Sequence, residues 1–470
     1  MNSLFPGLHA VLSALVCLPL ILGGCSLAPN YVRPDAPIPG EYNNGAGLHG
    51  QPSQTLSWRQ FFTDPSIQRL IELSLANNRD LRLAMLNIEK VRGQYRIQRS
   101  DILPTIGAAA DSSTQRLPAD MSGSGQAGIA RQYSASLGFS AFELDLFGRI
   151  RNLSEQALET FHSAEMDART AQISLVAEVA GVYLQLVANR ELLDSTEATY
   201  KNRRGQYNLV NNKFNSGVAS QLEVSQAKSI MEEARSNVAR YATSVGQAEN
   251  YLQLLLGCPI PKDMPEVRKL SDLKALSDIP EGMPSSLIEL RPDIQAAEHV
   301  LKGANANIGA ARANFFPSIS LTGSAGTISR DFSSLFDGGT GFWSFMPQVY
   351  LPIFDTGRNI ARLDVSEADR DIAVARYEKT IQTAFREVSD TLVLRKYIAD
   401  QIKAERSLLS STRTTYSLAS ARYDVGVDSY LNVLDAQRSL YNAQQTYIST
   451  MLLRETNAIG LYKALGGGWF

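Results

Sequence analysis

Cysteine is nearly missing from this 470-residue chain, with three copies at positions 17, 25 and 258. The first two belong to an N-terminal apolar stretch, so Cys258 alone remains for the body of the protein. A lone thiol closes no internal disulfide, and stability has to come from packing or assembly. Histidine is equally scarce. The four copies (His9, His49, His162, His299) show no metal-ligand spacing such as HExxH, and no phosphate-binding glycine loop or GxSxG elbow occurs. Nine methionines are dispersed and make no metal-binding cluster. The chain therefore reads as a non-enzyme without cofactor or metal. Charge of one sign is also lacking: 45 Lys and Arg against 47 Asp and Glu give a net −2. No basic field is available for nucleic acid. Beyond residue 26 no run of ~20 residues is apolar throughout, as a membrane-spanning helix would be. Proline is absent from residues 148–214 and 357–423, and each stretch of about 67 residues reads as a helix roughly 100 Å long at 1.5 Å per residue.

The N-terminus carries VLSALVCLPLILGGC, Val11 to Cys25, an apolar run of signal-peptide length ending in small residues and a cysteine. Leu22-Gly23-Gly24-Cys25 looks like a bacterial lipobox. It assigns residues 1–24 to a lipoprotein signal peptide and a covalent lipid to Cys25, the expected mature N-terminus. MNSLFPGLHA departs from the usual pattern in having no Lys or Arg. Ser26 after the cysteine resembles lipoproteins delivered to the outer membrane. LAPNYVRPDAPIPGEY then lacks periodicity and is rich in proline, so residues 25–56 read as a lipidated, extended tether.

The remainder repeats itself. YDVGVDSYLNVLDAQ, Tyr423 to Gln437, has the layout of FNSGVASQLEVSQA, Phe214 to Ala227, at an offset of 209 (426 − 217). Upstream, Leu81, Ala84, Ile88, Val91, Tyr95, Gln98 and Ile102 alternate spacings of three and four. Ile294, Ala297, Leu301, Ala304, Ile308, Ala311 and Phe315 do the same at an offset of 213 (294 − 81). Both runs stop at a proline, Pro104 or Pro317, which cannot continue a helix. From Ala227 to Leu255 a four-three spacing spells a coiled-coil seam. Gly217 and Gly426 sit where a helix end needs left-handed backbone. Ser220 to Glu223 makes a capping-box pattern, and Asp428 or Ser429 would cap the second copy. Each turn is thus the tip of a long helical hairpin.

After each proline the period changes to two. In ARQYSASLGFSAFELDL, Tyr133, Ala135, Leu137 and Phe139 alternate with Ser134, Ser136, Gly138 and Ser140. SISLTGSA and GFWSFMPQVYLPIF alternate likewise, and TIGAAADSST completes about four strands in two hairpins. Such strands fit a transmembrane β-barrel. They return to helix at Gly148-Arg149 and Gly357-Arg358, read as strand-to-helix junctions. Four strands close no barrel, since known ones start at about eight. An open edge in hydrocarbon leaves backbone groups unpaired. The strands must be pooled among copies, and closure alone does not choose between a dimer, a trimer and a tetramer. The domains read as residues 57–257 (strands about 105–143, helical hairpin about 147–255), an equatorial linker at 258–284, and residues 285–470 (strands about 317–354, helical hairpin about 356–465).

These features, with RPD at Arg291 to Asp293, VLDAQRSLY at Val433 to Tyr441 and the closing LGGGW, resemble the TolC-type outer-membrane factors. The nearest branch is the lipoprotein outer-membrane channels of tripartite RND efflux pumps. The resemblance spans nearly the whole chain. It implies an α+β membrane protein: a homotrimer with a twelve-stranded outer-membrane β-barrel continued by a periplasmic α-barrel, in a Gram-negative cell. It implies three kinds of partner: a periplasmic adaptor meeting the tips at Gly217, Ser220 and Gly426, an inner-membrane RND transporter, and outer-membrane lipid. The channel would be a passive, gated exit conduit for drugs, other small toxic compounds or metal ions. An exporter of another kind, such as a polypeptide secretion system, and a structural coiled-coil lipoprotein are the alternatives. Tyr423, Asp428 and Asp435 match the family's periplasmic gate, with Arg422 and Asp424 as neighbours; Asn432 stands where some relatives carry another Asp. Asp428 also reads as a helix cap, Asp435 as a solvated face, and Tyr423 as a packed interface aromatic.

Overall fold

The computed structural model describes residues 26–39, 57–123, 125–274, 276 and 290–467. The signal peptide, Cys25 and residues 40–56 of the tether lie outside the described residues. The helices are α1 (Trp58–Phe61), α2 (Pro65–Asn77), α3 (Arg79–Ser100), α4 (Arg149–Asn215), α5 (Gln221–Leu256), α6 (Pro292–Ala313), α7 (Arg358–Asp424) and α8 (Tyr430–Ala464). The strands are β1 (Gly107–Leu117), β2 (Gly128–Leu144), β3 (Ser318–Ser329) and β4 (Gly341–Tyr350). Helices α4 and α7 are both 67 residues long, the length that the proline-free stretches call for. A three-residue helical turn, Leu270–Asp272, lies in the stretch read as a linker. The chain forms two compact units by contact.

The first unit takes its described residues from Met1–Asp35, Asn87–Glu165 and Ala296–Tyr377. Its sheet is antiparallel in the order β1-β2-β3-β4. The hairpins β1/β2 and β3/β4 come from opposite halves of the chain and join through β2 and β3, from Tyr133 opposite Ser329 to Leu144 opposite Ile319. That register is broken by a bulge between Phe139 and Phe142, where Ala141 has a left-handed φ of 50°. The join is tight: a Cβ at Gly326 would fall 2.1 Å from the Ala135 carbonyl oxygen, so only glycine fits. Strand β4 ends at Tyr350, and the alternation read through Leu351 and Ile353 continues past the ladder. Trp343, Phe345 and Val349 are exposed on it.

In the same unit the segment after Cys25 is docked along α6. Asn305 donates to the Pro29 carbonyl at 2.7 Å, Arg312 to the Leu27 carbonyl at 3.4 Å, and Ser26 Oγ to Asn152 at 2.9 Å. Arg33 grips Glu298 with two bonds of 3.1 and 2.8 Å, and Tyr31 donates to the same carboxylate. Part of the stretch read as a tether is therefore fixed structure.

The second unit takes its described residues from Ala36–Leu86, Met166–Gln295 and Glu378–Phe470. One expectation needs correction here. Helix α4 is, by length and composition, apolar enough to cross a membrane. Its apolar residues Ile173, Val176, Val179, Ala180, Leu184 and Val187 are nonetheless buried in this unit, so the apolarity belongs to a core helix. Phe61 stacks on Tyr462 at 4.4 Å, and Ser74 and Asn78 both donate to the Leu255 carbonyl. Gly257, left-handed at φ 66°, closes α5 against Asn77.

Arg291 of the RPD motif ties the start of α6 to the end of α8. It bonds both oxygens of Asp293, Glu387 at 3.0 Å and the Ala464 carbonyl at 2.7 Å, with its side chain 8% exposed. Arg291→Ala should destabilise the protein by roughly 2–3 kcal/mol, and Arg291→Lys should rescue little because one ammonium cannot reproduce the fork. Thermal melting of the solubilised protein checks both.

Candidate functional site

The two hairpin tips share one backbone. At the first, Gly217 (φ 76°) donates to the Phe214 carbonyl and Val218 to that of Lys213. At the second, Gly426 (φ 76°) donates to Tyr423 and Val427 to Arg422. These are left-handed helix stops. The Ser220–Glu223 capping box forms, with Ser220 N donating to Glu223 at 2.6 Å and Glu223 N to Ser220 Oγ at 3.3 Å. Beneath the tips a small core joins Val210, Val224, Ala227, Tyr430, Val433 and Leu434.

The side chains differ where the backbone does not. Arg422 donates to Asp428 at 3.0 Å, and Asn432 donates to the other oxygen of that carboxylate at 2.7 Å. Of the two cap candidates, Ser429 is the N-cap residue but its hydroxyl makes no cap bond, whereas the Asp428 carboxylate accepts the Ser429 amide. The Asp428 carboxyl is held below its ordinary value, first by the Arg422 bond and then by that from Asn432. Tyr423 packs on Tyr430 at 5.2 Å, and the Lys213 ammonium stands 4.6 Å over the Tyr423 ring. Burial, then Tyr423, pushes the Tyr430 phenol up to about 12, so it stays neutral. Asp435 is exposed and pairs with Arg438 at 2.9 Å, away from this network. Asp424 is exposed and makes no ion pair among the described residues.

The structure thus gathers Arg422, Tyr423 and Asp428 at one tip, and leaves Asp424 and Asp435 apart. Lys213 and Tyr430 were missed by the sequence reading. The duplication held a clue: at the 209 offset Lys213 matches Arg422, while Ala219 matches Asp428. The ionic link is therefore private to the second tip.

At the other end of α4 and α7, Gly148 (φ 77°) and Gly357 (φ 83°) turn strand into helix. Arg149 forks onto Glu143 at 2.9 and 2.5 Å, and Arg151 bonds Asp145. At the second junction Asp355 instead accepts the backbone amides of Gly357 and Asn359.

Comparison with known proteins decides the family. The profile described as "Outer membrane efflux protein" matches residues 70–258 and 283–467. The chain belongs to the outer membrane efflux protein family. It is 50% identical over 464 residues to the toluene efflux pump outer membrane protein TtgC of Pseudomonas putida, covering 98% of this chain and 96% of that one. The antibiotic efflux pump outer membrane protein ArpC of Pseudomonas putida matches at the same identity and coverage. Among solved structures, the open state of the MtrE outer membrane channel of Neisseria gonorrhoeae superposes with a TM-score of 0.85. It is 38% identical and covers 94% of this chain and 98% of that one.

As a member of this family the chain is the outer-membrane component of an efflux pump and not an enzyme. The duplicated helices and hairpins are the fold of these channels. Site chemistry here means charge, packing and closure. Because its folded-state carboxyl is depressed, Asp428 contributes stability above the ordinary value of 3.8, lost as pH falls through the lower folded value. Amide protection at Ser429 to Asn432, taken relative to the intrinsic exchange rate at each pH, should therefore stay constant through neutral and mildly acidic pH and fall only below 3.8.

Proposed function

We propose that three copies of this chain form a gated exit conduit, each contributing its four strands to one closed barrel. The carrying observation is that β1 and β4 are both free edges of the sheet. The helices support the same reading through the duplication. Within one chain α4 packs on α6: a Cβ at Gly309 would meet the Asn152 side chain, and one at Gly303 would lie 3.5 Å from Glu159. Offsets of 209 and 213 carry Asn152 to Ala361 on α7 and Gly309 to Arg96 on α3 (152 + 209; 309 − 213). Ile97 and Leu83 on α3 are 70% and 64% exposed, whereas their equivalents Ala310 and Ala296 are 4% and 5% exposed. Arg96 stands for Gly309 as Ala361 stands for Asn152, so helix α3 of one copy would face α7 of the next with the bulk exchanged between the two helices.

The conduit would meet a periplasmic adaptor at the tips and act with an inner-membrane RND transporter, anchored by lipid at Cys25. Residues 57–257 and 285–470 would be the two repeats, with 258–284 between them. Its cargo would be small toxic organic compounds, as the names of the toluene and antibiotic pumps suggest for those relatives. Arg422, Asp428 and Tyr423 would hold the periplasmic end shut.

Paired substitution Ala361→Cys with Arg96→Cys should, on oxidation in membranes, give a ladder ending at covalent trimers. Cross-linking confined to single chains, or none, would overturn the trimer. Arg422→Ala should raise single-channel conductance in planar bilayers, and adding Asp428→Ala should raise it little further, since both remove one link. Unchanged conductance removes the link from the gate. Deleting the gene should sensitise cells to organic toxicants; unchanged tolerance would count against the cargo assignment.

A further inference from the structure

The two histidines among the described residues meet across one seam. His162 lies on α4 and His299 on α6, 137 residues apart (299 − 162), so no spacing motif announces them. Their ring centroids stand 5.2 Å apart, with the planes tilted by 39°. Each ring is held by a carboxylate of α4. Glu159 lies 2.5 Å from His299 Nδ1, and Glu165 lies 3.2 Å from His162 Nδ1. An ionised carboxylate only accepts, so both rings donate from Nδ1 and, when neutral, keep a lone pair on Nε2. Carboxylates orient metal-binding imidazoles in this way.

Two imidazoles on one tetrahedral ion, with metal–nitrogen bonds of about 2.0–2.1 Å, hold their centroids roughly 5 Å apart. The observed separation matches that span. The two side chains are 37% and 22% exposed, so an ion and its waters can reach them. Glu159 and Glu165 add negative charge beside the rings.

The seam is closed within one chain. Helix α4 has α3 on one flank, where Arg92 stands over the Phe161 ring, and α6 on the other. Helix α6 in turn meets α7, through Asn359 to the Asn314 carbonyl and Arg312 to Glu367. The pair therefore lies away from the α3 and α7 faces given to the proposed neighbours. Offsets of 209 and 213 carry Glu159, His162, Glu165 and His299 to Ala368, Asp371, Val374 and Leu86. The set is confined to the one seam whose two sides come from a single chain.

We propose that His162 and His299 bind one divalent transition-metal ion through Nε2, with water completing its coordination, and so staple α4 to α6. No group of three metal-ligating side chains occurs among the described residues, so the protein supplies two bonds. Imidazole suits copper, nickel and zinc, whereas magnesium and calcium take oxygen ligands; Cu²⁺ is held most tightly.

Titration of the untagged, solubilised protein with copper(II) chloride, followed by electron paramagnetic resonance, tests it. One Cu²⁺ per chain should bind with two coordinated nitrogens. Zn²⁺ should compete for the site and Mg²⁺ should not. His162→Gln or His299→Gln should each weaken binding about tenfold or more and leave one nitrogen. Glu159→Gln keeps both imidazoles yet should weaken binding about tenfold, since the bond that aims His299 is lost. The ion should also raise the melting temperature of wild type and not that of the double variant His162→Gln, His299→Gln. Equal binding by wild type and double variant overturns the site, as does a wild-type signal with one nitrogen or none. Equal competition by Mg²⁺ overturns the class of ion. Two-nitrogen binding that leaves the melting temperature unchanged overturns the staple.

Discussion

A β-sheet with two free edges cannot stand in hydrocarbon. Each unpaired backbone amide or carbonyl there costs several kcal/mol with no water to offset it. The four strands of this chain satisfy one another inside the sheet, through the β2–β3 join that links the halves. They leave β1 and β4 unsatisfied on their outer sides. That debt of hydrogen bonds is what the proposed assembly of copies would settle. Apolar residues are also left bare on α3, and on α7 at Val365 and Ile372.

Duplication supplies the economy of the design, and divergence supplies its function. The two tips have the same glycine, the same left-handed angle and the same amide-to-carbonyl bonds. Only one carries an ionic link, because Asp428 stands where the other copy has Ala219. The two junctions likewise share Gly-Arg, yet at the first Glu143 binds the arginine, whereas at the second Asp355 accepts backbone amides. Helix α6 has residues 26–33 laid along it, whereas α3, its counterpart, stays largely open to solvent. In each case the backbone is held constant while charge is added or removed on one side. The two halves of this channel component thus share a backbone and differ in charge.

Much of this was legible in the sequence. Proline-free stretches gave α4 and α7 their length, and Pro104 and Pro317 marked where helix gives way to strand. The half-buried stripe on α3, from Leu81 to Gln98, is the one that its three-four spacing spells. These signals are local, so one chain carries them in full. What stayed hidden depends on distant partners. The docking of Tyr31 and Arg33 on Glu298 bridges more than 260 residues and leaves no period in LAPNYVRPDAP. The apolar run around Val179 is compatible with bilayer or core, and only its burial decides. At the second tip the candidates were adjacent in sequence, but their pairings depend on which way each side chain turns: Asp428 toward Arg422, Asp435 toward Arg438.

The measurement closest to the central claim is amide hydrogen exchange of the four strands in lipid bilayers. If the free edges are joined to neighbouring copies, outward-facing amides of β1 and β4 exchange as slowly as those of β2 and β3. Rapid exchange confined to β1 and β4, with the inner strands protected, would mean that the edges stay open and that no shared barrel forms.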